Sequence, residues 1–171
     1  MHAVLVFWFL GICAYALSTP AFKAAPFTEN NRILGMILSY NYDHIDPLVI
    51  IINEYLSMCE AGWYPTVVIF TTMMWTDKLK RYLETKAHCY RIERSFPIFY
   101  SIFDPSISIG LGAEHRKMVG KEIHNYDLFI YHEDDIIVKY AHIPAYLHEI
   151  EKMDKLVPGT GLRDNMIGFQ R

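Results

Sequence analysis

Two short runs, TVVIF at 66–70 and DLFIY at 127–131, are apolar at consecutive rather than alternating positions, which constrains the fold more than any other feature of the chain. A strand with water on one face alternates in polarity. A strand buried on both faces does not, and such strands belong to the middle of parallel sheets covered by helices on each side. The segments between the apolar runs carry helical spacing or helix-end signals. ILGMIL at 33–38 reads as a first strand that runs into Ser39, Tyr40 and Asn41. Asp46-Pro47 then supplies a cap and a first-turn proline for LVIIINEYLSMCEA at 48–61, with Gly62 as the stop. That segment is rich enough in β-branched residues for a strand, but its length and end signals favour helix.

Beyond the second strand, Thr76 is placed to cap a helix with Leu79, Tyr82 and Leu83 along one face. AHCYRIERSF at 87–96 alternates and is expected to be the third strand, followed by a loop over 97–109 rich in Ser and Phe. Leu111, Met118, Val119 and Ile123 mark one face of a helix ending near Asn125, and DLFIY follows as the fourth strand. Pro144 opens a last helix with Leu147 and Ile150 inward, closed by Pro158-Gly159. This strand–helix alternation implies an α/β fold, a mostly parallel sheet flanked by helices. Ligands of such sheets bind outside the carboxyl ends of the strands. Ser39-Tyr40-Asn41 and Glu133-Asp134-Asp135 occupy those ends.

The N-terminal segment differs from the rest. Residues 1–22 contain no Lys, Arg, Asp or Glu. The apolar run at 3–17 has the length of a signal-peptide core, and Ala14-Tyr15-Ala16 forms an A-x-A cleavage pattern. No Lys or Arg precedes the run, and the stretch to Phe22 is long enough to span a bilayer uncleaved. The reading is a signal peptide or signal anchor over 1–22, a Pro-containing linker over 23–31, and one domain over 32–171. Either form of the leader directs the domain to the secretory-pathway lumen (ER or Golgi), anchored in the membrane or secreted. Of three cysteines, Cys13 lies in the leader. Cys59 and Cys89 can form one disulfide in an oxidising lumen if the end of the first helix meets the third strand.

Several function classes are excluded by what is missing. A formal net charge of −3 provides no field for a nucleic-acid backbone. No G-x-x-x-x-G-K-[ST] loop, G-x-S-x-G elbow or H-E-x-x-H helix occurs. Gly110-Leu111-Gly112 begins like a dinucleotide fingerprint, but His115 stands where its third glycine belongs.

The acidic triplet is the candidate for chemistry. Three adjacent carboxylates between the apolar run 127–131 and Ile136-Ile137-Val138 repel one another unless a cation sits among them. Mg²⁺ or Mn²⁺ suits such a set, since both take oxygen ligands from one or two carboxylates together with substrate phosphates. The bland alternative is a solvated acidic turn that ends the strand. His132 precedes the triplet, but neighbours on a strand point to opposite faces, so it is not expected to be a ligand.

YDLFIYHEDDIIV, preceded by the helix AEHRKMVGKEIHN, resembles the metal-binding segment of nucleotide-sugar-dependent glycosyltransferases of the GT-A fold, in which an apolar strand enters a D-x-D or E-D-D motif. The resemblance covers 33–171, including the opening ILGMILSYN and the closing GFQR. It implies the Rossmann-like nucleotide-binding half of such an enzyme, with the acceptor half incomplete. Asp135 would be the principal metal ligand. Glu133 and Asp134 would share the metal, its waters and the donor's hydroxyls. Ser39, Tyr40 and Asn41 would cradle the nucleotide, with Thr71 nearby, and Arg116 would meet the diphosphate. Asp164 is the one candidate catalytic base within the chain. The implied reaction moves a sugar from a nucleoside-diphosphate donor to a hydroxyl of a glycan, protein or lipid. Two other readings compete: a metal-dependent phosphoesterase, and a non-catalytic secreted domain that binds a sugar or a partner.

Overall fold

The computed structural model describes residues 4–7, 15–16, 31–40 and 44–156. Their elements are β1 (Val4–Phe7), β2 (Tyr15–Ala16), β3 (Arg32–Leu38), α1 (Ile45–Glu60), β4 (Tyr64–Thr71), α2 (Asp77–Lys86), β5 (His88–Cys89), β6 (Arg94–Ser95), β7 (Ile98–Ile102), α3 (Glu114–Glu122), β8 (Leu128–Glu133) and α4 (His142–Leu156). The main sheet runs β2-β1-β8-β3-β4-β7. Every pairing in it is parallel except that of β1 with β2. The α/β sheet flanked by helices expected from the apolar runs is therefore present.

Alternation along the strands divides the core into two layers. Ile33 and Ile37 of β3, Val67 and Ile69 of β4, and Leu128 and Ile130 of β8 pack with α1, Leu83 of α2, and Ile143, Tyr146 and Ile150 of α4. Leu34, Met36 and Leu38, Val68 and Phe70, and Phe129 and Tyr131 face the other way, against Leu111, which precedes α3, and Val119 of α3. Burial on both faces is why these strands show no polar alternation in sequence. At Gly35 the two requirements meet: a Cβ there would lie 2.3 Å from the Tyr55 ring, so only glycine lets α1 approach β3 this closely.

Helix boundaries follow local chemistry, with one correction. Thr76 caps α2 as expected, its hydroxyl accepting from the Leu79 amide at 3.3 Å. Gly62, after α1, adopts φ 107°, a left-handed conformation that glycine enters without strain. Asp46, however, is not the cap of α1. The helix begins at Ile45 with His44 at the cap position, so Asp46 and Pro47 lie inside its first turn, where proline's missing amide goes unused anyway. Tyr82 also departs from its expected inward stripe and is 42% exposed, with the Lys86 ammonium over its ring.

The third strand is displaced along the chain. Residues 87–96 do not join the main sheet; they form a two-stranded hairpin, β5 with β6, around a 3-10 turn at Tyr90–Ile92. The strand beside β4 is instead β7, within the stretch expected to be loop, and a 3-10 segment Pro105–Ala113 follows it. Tertiary ties explain the shift. Cys89 is bonded to Cys59, and Arg91 donates to the carbonyls of Cys59 (2.7 Å) and Trp63 (3.0 Å). These contacts hold the hairpin against the end of α1 and leave the next segment to extend the sheet.

Of the leader, the structure describes only β1 and β2. Linker residues 23–30 and the stretch 157–171, with Pro158, Gly159 and Asp164, lie outside the described residues. No helix among the described residues is long and apolar enough to cross a membrane.

Candidate functional site at the carboxyl ends of β3 and β8

From β3 the chain builds outward through α1 to β4 and then β7; it returns through α3 to place β8 on the opposite side of β3. Strand order therefore reverses between β3 and β8, and a crevice at such a reversal is the preferred ligand position in open parallel sheets. Register brings the two candidate segments together: Leu38 pairs with Glu133, and the Asp134 amide donates to the Leu38 carbonyl at 3.0 Å.

Strand alternation then splits the acidic triplet. On the α3 side, Glu133 is partly exposed and lies close enough to Tyr40 and Tyr131 to act on both electrostatically. Tyr40 is 40% exposed. Its hydroxyl pKa is raised, first by burial and then by the charges of Glu133 and Asp134. Arg116, exposed on α3, also acts on Tyr131. Tyr40, Glu133 and Arg116, taken from three separate stretches of sequence, therefore all lie within electrostatic reach of Tyr131.

On the α1 side, Asp134 is buried, only 4% exposed. Its Oδ1 lies 2.7 Å from His44 Nδ1, while Oδ2 has no hydrogen-bond partner among the described residues. Ser39, fully buried, likewise leaves its hydroxyl without such a partner among the described residues. Buried polar atoms of this kind are uncommon in folded proteins and call for an explanation. Asp135 is exposed at the tip of the turn.

The turn itself is tightly held. The Ile136 amide donates to the Glu133 carbonyl at 3.0 Å. His132, 1% exposed, reaches the Ile136 carbonyl through Nδ1 at 2.8 Å and the Tyr55 hydroxyl through Nε2 at 3.1 Å. A carbonyl can only accept, so Nδ1 carries the proton and Nε2 accepts from the phenol. Burial lowers the His132 pKa to about 4, which keeps the ring neutral in this arrangement. His132 thus faces the core, as strand alternation implied.

The remaining candidates are placed as follows. Thr71 is fully buried at the end of β4, and its hydroxyl accepts from the Met73 amide at 3.1 Å and the Trp75 indole at 3.4 Å; these bonds order the loop after β4. His115, beside Arg116, is buried and stacks on Tyr131 with ring centroids 3.9 Å apart. Its Nδ1 bonds the Gly112 carbonyl, and burial lowers its pKa to about 4. Asn41 and Asp164 lie outside the described residues.

Sequence reading missed His44 and Tyr55. His44 stands 90 positions from Asp134 and Tyr55 stands 77 from His132, so no local spacing could have linked either pair.

No group of three or more His, Cys, Asp or Glu side chains that could hold a metal ion is found among the described residues. Of the three carboxylates, Glu133 is partly exposed and Asp135 exposed, while Asp134 is buried on the α1 side. Comparison with protein-family models, curated proteins and solved structures returned no match.

Proposed function

We propose that this chain is the nucleotide-sugar-binding half of a metal-dependent glycosyltransferase with a Rossmann-like, GT-A type arrangement. The observation that carries the reading is that Tyr40, Glu133 and Arg116 all act electrostatically on Tyr131 beside the reversal of strand order, where the acidic turn follows β8. The sequence resemblance of the E-D-D segment supports the same reading.

Each residue has a role set by its chemistry. Tyr40, half in solvent, offers a ring on which a nucleotide base stacks. Arg116 presents a planar guanidinium to the diphosphate. Glu133 and Asp135 would hold Mn²⁺ or Mg²⁺, which supplies Lewis-acid neutralisation of the departing diphosphate. The acceptor would be a hydroxyl of a glycan, protein or lipid.

The Cys59–Cys89 bond supports an oxidising compartment and hence the secretory pathway. Cleavage of the leader after Ala16 would remove β1 and β2 and free the outer edge of β8, to which β1 pairs. Microsomal import with protease protection tests this assignment, and a cytosol-facing, fully digested domain overturns it.

Binding is tested by titrating UDP and GDP into the wild type and Asp135→Asn, each with Mn²⁺ and with chelator. Metal-dependent affinity is expected in the wild type and absent in the variant. Equal affinity in all conditions would leave the triplet a solvated turn and end the glycosyltransferase reading.

A further inference from the structure

The acidic turn is coupled to the helical layer through buried groups that no local motif announces. Tyr55 of α1 is 1% exposed, so its hydroxyl needs a partner inside the protein. That partner is His132 Nε2 at 3.1 Å. The other ring nitrogen bonds Ile136 O at 2.8 Å, the residue that closes the turn through its amide to Glu133 O. Gly35 completes the arrangement, because any side chain there would overlap the Tyr55 ring. A tyrosine serving only as core filling would need neither the hydroxyl nor a histidine opposite it.

The geometry points to Tyr55, acting through His132, as a positioning residue for the acidic turn. By holding the Ile136 carbonyl, this relay sets the path of residues 133–136. It thereby sets the directions of Glu133 and Asp135, while Asp134 remains inward on His44. The functional meaning of that geometry rests on the metal-site reading above; the mechanical claim does not. With the phenol present, the His132 ring is pinned at both nitrogens. Without it, the ring keeps one bond and gains freedom to tilt, and the turn loosens with it.

The test uses Tyr55→Phe, which keeps the ring and removes only the hydroxyl, with His132→Gln as a second variant. Amide hydrogen exchange is followed by NMR in the full chain. Loss of one buried hydrogen bond is expected to accelerate exchange of the Asp134 and Ile136 amides by roughly fivefold or more, while the central amides of β3 and β4 keep their wild-type rates. Unchanged exchange at both turn amides, or uniform acceleration across the sheet, overturns the proposal. A parallel titration with Tb³⁺, read by luminescence sensitised through Tyr40, judges the metal reading separately. Weaker Tb³⁺ binding in Tyr55→Phe than in the wild type supports both claims. Absent binding in the wild type removes the metal reading, while the exchange rates still decide whether Tyr55 positions the turn.

Discussion

His44 Nδ1 lies 2.7 Å from Asp134 Oδ1, joining the cap position of α1 to the middle carboxylate of the acidic triplet. The contact has two consequences. It leaves the α1 cap position without a side-chain bond to its own helix, and it holds the buried Asp134, while Glu133 is partly exposed and Asp135 exposed. A run of three carboxylates that reads as one uniform cluster is therefore divided into one buried group and two with access to solvent.

Breaking this pair should cost stability. His44→Ala leaves the buried Asp134 carboxylate without its partner, and a loss of about 1–3 kcal/mol is expected. Urea denaturation of His44→Ala, Asp134→Ala and the double variant measures it. A coupling energy near zero would mean that the contact contributes nothing.

Gly35→Ala should destabilise by about 1–3 kcal/mol, the usual range for overpacking a core, since the new methyl overlaps the Tyr55 ring. Shortening the opposing side chain relieves the overlap, so Gly35→Ala with Tyr55→Leu should be more stable than the two single losses added together. Simple additivity in thermal unfolding would count against a direct clash.

The Cys59–Cys89 bond closes a span of 30 residues. Chain-entropy arguments give roughly 3–4 kcal/mol for a loop of this size. Cys59→Ser with Cys89→Ser should lower the denaturation midpoint accordingly. Because the hairpin is also tied by Arg91, exchange at β5 and β6 should rise more than exchange at β3. Equal protection everywhere would show that the bond does not hold the hairpin.

Stability should fall on mild acidification. His115 and His132 have folded-state pKa values of about 4 against an ordinary value of 6.5. Between those values the unfolded chain binds more protons, so unfolding free energy rises with pH there. The contribution is complete above pH 6.5 and is lost as pH falls toward 4. For the fully buried His132 it amounts to about 3 kcal/mol. Denaturant unfolding across this window, compared with His132→Gln and His115→Gln, should show shallower pH slopes in both variants. Unchanged slopes would mean that the rings are not held neutral.

Local patterning specifies the layer architecture. TVVIF and DLFIY cannot face water on either side, and the capped segments between strands can only cover them. Residues 87–96 show the limit of that logic. Their alternation is a valid strand signal, but the disulfide and the Arg91 contacts at the end of α1 claimed them, and β7 took the place beside β4. The candidate site divides in the same way. Tyr40, Glu133 and Arg116 stand out as candidates in the sequence because strand ends and helix polarity are local properties. The roles of His44, Tyr55 and Gly35 were decided by tertiary structure alone, since each depends on a partner 20 or more positions away and on which face of a strand that partner occupies. Local sequence carries the period of an element; the packing of one element on another decides which polar groups meet.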